Sequence, residues 1–201
     1  MATGERLDHS TVVAGHIFQH TWRKNMSQFT NLTDINDVRN GLLLYKPVEW
    51  AFDRAKLCVE VDSEGRMTFR LLDPMLADIS LVDKACTLRK DAGRGNEPLE
   101  REQTLRVTFG MLNGQPLKFP DGVEARPSTR LLRLHATVAT LAARRQNPHL
   151  EIPDMKFDTS GDETTFRAIN ALRISEWQSS MADVEDFLGV SLHHQRSDMV
   201  S

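Results

Sequence analysis

The chain has 201 residues, 40% hydrophobic and 26% charged, with a formal net charge of −3 and a pI near 6.2. Such a composition suits one globular domain with an accessory tail and excludes a membrane span, since no apolar run approaches the roughly 20 residues required. It also excludes a disulfide framework or zinc ribbon, because Cys58 and Cys86 stand without a Cys-x-x-Cys pair.

The first ten residues lack the apolar core of a signal peptide, so an intracellular protein is expected. Thr11-Val12-Val13-Ala14 reads as a strand that delivers His16 at its end. Residues 19–39 are polar and aperiodic, a long loop with at most a helical turn; long ordered loops in compact domains usually carry function. Arg23 and Lys24 in this loop are candidates to meet a phosphate. Gly41 permits a turn, and Leu42 to Leu44 read as a short buried strand. Pro47 suits the first turn of a following helix, where its missing N–H costs nothing. Glu49, Phe52 and Asp53 then share one helix face, with Trp50 and Phe52 read as core. Two carboxylates beside an apolar anchor are costly to bury unless a cation binds them.

Alternation on either side of residues 62–65 predicts a hairpin. Residues 75–88 are ambiguous, and residues 91–103 read as a loop. Residues 105–111 and 115–125 look like strands about an Asn113-Gly114 turn. Arg126-Pro127-Ser128 opens the clearest helix, with an apolar stripe of Leu131, Leu134, His135, Val138, Leu141 and Ala142. Arg130, Arg133 and Arg144 share its adjoining face, either a nucleic-acid surface or ordinary solvated charge. His135 reads as a core histidine. Pro148 and Pro153 stop this helix; Phe166, Ile169 and Leu172 suggest another, and Ser180 with Asp183 starts a last one ended by Gly189. His193-His194 lies in a polar tail.

Ala14-Gly15-His16-Ile17, then Asn40-Gly41-Leu42-Leu43-Leu44, then Phe52-Asp53, in that order and spacing, resemble the HNH nuclease family and its ββα-metal motif. The resemblance implies an α+β fold, with a ββα-metal core, additional hairpins and C-terminal helices. It divides the chain into an HNH-like domain over residues 1–150, with the motif within roughly residues 10–72, and a helical extension over 151–201. The motif begins almost at residue 1, which leaves room for a longer natural chain.

The resemblance further implies a metal-dependent endonuclease acting on DNA in preference to RNA. His16 takes the position of the family's general base, and Asn40 that of the asparagine that orients the imidazole or lends the metal an oxygen. Glu49 stands where the family more often has a histidine, and Asp53 closes the Phe-Asp element as a second oxygen ligand. Oxygen donors favour Mg²⁺, or Mn²⁺, over zinc. Many family members carry a metal ligand immediately before the base; here that position is Gly15, and Asp8, His9, His20, Asp34 or Asp37 are the candidates to complete the set. Taken singly, His16 also suits a structural histidine, Asn40 a turn, and Glu49 and Asp53 a solvated helix face. The alternative function is a catalytically impaired HNH-fold protein that binds nucleic acid or a protein partner. Hydrolysis needs a base to deprotonate water and a cation to hold the phosphate, and this residue set is suited to supply both.

Overall fold

The computed structural model describes residues 11–20, 23, 26–93, 106–119, 122 and 125–149. Strand β1 (Val12–His16) pairs antiparallel with β2 (Gly41–Tyr45), placing Val13 opposite Leu44 and His16 opposite Gly41. The connection between them contains one short helix, α1 (Met26–Phe29), and a 3-10 turn at Val38–Asn40. Helix α2 (Lys46–Asp53) follows β2 without a gap, with Pro47 in its first turn as expected. Its Val48, Ala51 and Phe52 are buried. Strand, strand and helix thus form the expected ββα unit. Leu42 and Leu44 are core, but Leu43 is 67% exposed, which corrects the reading of all three as buried. Successive strand side chains face opposite ways, so only alternate leucines reach the interior.

Helix α2 ends in a tight reversal. Ala55 adopts a left-handed φ of 54°, its N–H bonds the Phe52 carbonyl, and the Lys56 N–H bonds the Ala51 carbonyl. This is the hydrogen-bond pattern of a Schellman cap, made with alanine in the place glycine usually takes. A left-handed alanine is strained, and Ala55 is buried in one small-residue cluster with Cys58, Leu72, Ala136 and Ala139.

Strands β3 (Leu57–Val61) and β4 (Met67–Leu71) form the expected hairpin. Its turn is held by Asp62, whose carboxylate accepts from the N–H groups of Glu64 and Arg66 and from Arg66 Nε, with Gly65 at positive φ. A 3-10 turn, Pro74–Leu76, leads to helix α3 (Leu81–Asp91), capped by Ser80. Among the described residues of 105–111 and 115–125, the expected strands do not form. Phe109–Leu112 is a short helix, α4, capped by Thr108, and Gly110 lies so close to the Ala77 carbonyl that a Cβ would stand 2.8 Å from its oxygen. Capping and that close approach override the alternation. Residues 114–117 run beside β4 irregularly, through Phe69 N–H to the Gln115 carbonyl and Leu117 N–H to the Met67 carbonyl. The Asn113-Gly114 turn is present, with Gly114 at positive φ.

Helix α5 (Thr129–Gln146) is capped by Ser128 and lies across β3. Leu131, Leu134, His135, Val138 and Ala142 are buried as the stripe implied. Leu132, Ala136, Ala139 and Ala143 are buried too, so the apolar surface is far wider than one stripe. Small residues there let helix and strand approach closely. The Ser128 N–H bonds the Arg39 carbonyl, tying the start of α5 to the segment before β2. His135 stacks on Phe52 at 3.6 Å between ring centroids, and burial lowers its pKa to about 3. Cys58 is buried and Cys86 half-buried, both free thiols. Among the described residues no helix is long and apolar enough to cross a membrane. The extension over 151–201, with its expected helices and His193-His194, lies outside the described residues.

Candidate active site

His16 closes β1, half-buried. Its Nε2 lies 3.3 Å from Asn36 Oδ1, and its ring centroid is 6.4 Å from that of His20. Asn36 is presented by a turn in which its N–H bonds Asp34 Oδ1 at 3.0 Å. The only sequence signal for Asn36 was its place in the polar run at residues 31–37, which has no period to single out one residue.

Asn40 is fully buried. Its Oδ1 accepts from the Phe18 N–H at 2.7 Å, and its Nδ2 donates to the Ile35 carbonyl at 2.8 Å and the Phe18 carbonyl at 3.2 Å. Its own carbonyl accepts from the Ile17 N–H at 2.8 Å. The side chain is committed to loop backbone, in place of the expected direct contact with the imidazole. It fixes the two residues that follow His16, and so sets where the strand end points.

Glu49 and Asp53 come together, one helical turn apart on α2 and hydrogen-bonded to each other. Burial raises the pKa of both; the neighbouring charge of Glu49 adds to the effect on Asp53, bringing it to about 7. Arg54 and Lys46 lie close enough to favour the ionised form of Glu49, against that trend. A Cβ at Gly15 would stand 3.4 Å from Glu49 Cγ, an ordinary van der Waals contact, so β1 and the Glu49 stem lie side by side.

His16 does not join the carboxylates in a closed cluster. Among the described residues no three His, Cys, Asp or Glu side chains gather closely enough to hold a metal ion. Of the candidates to complete such a set, Asp37 is engaged by Arg39, whose Nη2 lies 2.7 Å from Asp37 Oδ2, and Asp34 is exposed. Asp8 and His9 lie outside the described residues.

The candidate phosphate contacts are scattered. Arg23 is exposed, and Lys24 lies outside the described residues. Arg130 is half-buried with Nη1 3.4 Å from Asn31 Oδ1; Arg133 is exposed and donates from Nη2 to the Asp62 carbonyl at 3.2 Å; Arg144 is half-buried.

No curated protein and no solved structure matches the chain. Residues 1–60 match the family model described as HNH endonuclease, a span that takes in β1, β2, α2 and most of β3. Over those residues the chain is similar to the HNH endonuclease family, and the matched span contains the ββα unit.

Proposed function

We propose that the protein is a metal-dependent HNH-type endonuclease that hydrolyses phosphodiester bonds in DNA. The observation that carries this is the Glu49–Asp53 pair: two carboxyl groups one helical turn apart, both shielded from water, on the helix that closes the ββα unit. Full ionisation of such a pair is opposed by burial and mutual repulsion, and a divalent cation relieves both. The donors present therefore fit Mg²⁺ or Mn²⁺, with Glu49 and Asp53 as two of its ligands. When bound, the cation would supply positive charge to hold a phosphate and stabilise the leaving oxygen.

His16 is the candidate base. With Asn36 Oδ1 as acceptor, His16 Nε2 carries the ring proton and Nδ1 keeps the lone pair that takes a proton from water. Asn40 is a positioning residue, holding the backbone that follows His16. Plasmid nicking tests the assignment. Wild type should cleave with Mg²⁺ or Mn²⁺ and stop with EDTA, His16→Ala should lose on the order of a hundredfold in rate, and Glu49→Gln should lose its response to the metal. Zinc-only cleavage would remove the oxygen-donor account, and undiminished cleavage by His16→Ala would remove the base.

The second reading is a catalytically impaired HNH scaffold that binds nucleic acid or a protein partner. What favours it is the commitment of the Asn40 amide to backbone, together with the lack of a third metal donor among the described residues. DNA binding without nicking in any metal would decide for it.

A further inference from the structure

Trp50 was expected to be a core residue, yet only part of it packs against the core. Three cations from three segments gather on its indole. Lys84 of α3 places Nζ 3.5 Å from the ring centroid, Arg54 at the end of α2 places Cζ at 5.2 Å, and Lys56, just before β3, places Nζ at 5.9 Å. A single cation on an indole face is an ordinary stabilising contact worth about 0.5–1 kcal/mol. Three around one ring also repel one another.

The nearby acids meet them unevenly. Lys56 pairs with Asp73 at 2.8 Å. Lys84 feels Asp91 at longer range, but burial and the charges of Arg54 and Lys56 outweigh that attraction and disfavour its protonated form. Arg54 and Lys84 form no salt bridge among the described residues. Arg54 is also close enough to Glu49 and Asp53 to act on both electrostatically, so the cationic group borders the candidate active site.

We propose that Arg54, Lys56 and Lys84, assembled on Trp50, form a binding site for a backbone phosphate of the nucleic-acid substrate, beside the phosphate that a cation at Glu49 and Asp53 would hold. This rests on the nuclease reading above and adds to it the place where the neighbouring part of the strand is held. An anion there relieves the repulsion among the cations, and the Arg54 guanidinium suits a phosphate's paired oxygens. Base stacking is not the use of this indole face, since the Lys84 ammonium already covers it. The site also answers the charge problem: a chain of net charge −3 has no general attraction for polyanions, so binding must come from a local grouping of cations such as this one. The α5 arginines fill that role less well, because Arg133 and Arg130 already donate within the protein.

The test is a salt titration of binding, by fluorescence anisotropy, to a labelled mixed-sequence DNA duplex in EDTA, so that no cleavage intervenes. An RNA duplex of the same sequence is run in parallel. Lys84→Gln should weaken binding roughly three- to tenfold on whichever polymer binds and lower the slope of log affinity against log salt by about one. Lys84→Arg should restore both, and the thermal midpoint of Lys84→Gln should not fall, since the change removes a crowded charge. Wild-type affinity and slope in a folded Lys84→Gln protein would overturn the site and leave the nuclease reading standing. Weakened binding by that variant, in a protein that never nicks DNA, would support the site and remove the nuclease reading. Absence of binding to either polymer by the wild type in EDTA would overturn the site, while nicking with Mg²⁺ decides the nuclease reading independently.

Discussion

The two hairpins of this protein are held by different physics. In β1–β2 the strands are joined by residues 17–40, and a single buried amide, Asn40, ties that connection to the strand end. In β3–β4 the strands meet across a tight turn, and α5 covers β3 with alanines at close range. One depends on satisfied polar groups and the other on filled volume. Polar anchoring leaves side chains such as His16 half-exposed at the strand end, whereas close packing leaves no room for chemistry.

Removing the polar anchor should break the contrast most sharply. Asn40→Ala leaves a buried Phe18 N–H and two buried carbonyls without their partner, and each such group costs about 1–3 kcal/mol. A loss of at least about 3 kcal/mol in urea unfolding is expected; unchanged stability with lost activity would make Asn40 a reacting group instead. Next in size is Ala139→Leu, which overfills the contact between α5 and β3 and should cost about 1–3 kcal/mol with the β1–β2 site unaffected.

The pH dependence sharpens the comparison. Asp53 is raised from 3.8 to about 7, so its contribution to stability is full below about pH 4 and lost as pH climbs through 7. His135 is lowered from 6.5 to about 3, so its contribution is full above pH 6.5 and lost as pH falls toward 3. Between pH 4 and 6.5 the two oppose each other, and the wild-type midpoint should change little. Asp53→Asn should then lose stability steadily on acidification, and His135→Phe should lose it on alkalinisation. Mg²⁺ should restore the latter loss if the carboxylates bind it. Parallel curves for all three proteins would show that neither group governs stability.

Most of the ββα unit was legible because local chemistry and periodicity agree there: the valines of β1, Gly41, Pro47 and the spacing of Glu49, Phe52 and Asp53 all favour what forms. The 62–65 turn and the opening of a helix at Arg126-Pro127-Ser128 are legible for the same reason. Legibility fails where a tertiary contact decides. Gly110 against Ala77 turns an expected strand into a helical turn, and no local pattern announces a carbonyl contributed by another segment. The motif place of Asn40 implies a residue that orients the imidazole or lends a metal an oxygen, whereas its hydrogen bonds go to backbone brought near only by the fold. Lys84 could not be linked to Trp50 from spacing at all, since α3 must first pack on α2. Gly15 is the plainest gap in the motif, and only the fold shows that it lies beside the Glu49 stem.

The alanine reversal at residue 55 has a mechanical consequence. It joins α2 to β3 with no slack, so the helix bearing the carboxylates cannot tilt without moving the strand on which α5 rests. Ligand capture at Glu49 and Asp53 should therefore slow amide hydrogen exchange along β3 and within α5, well away from the point of binding. Replacing Ala55 with Gly, which loosens that joint while keeping its handedness, should confine the protection to α2.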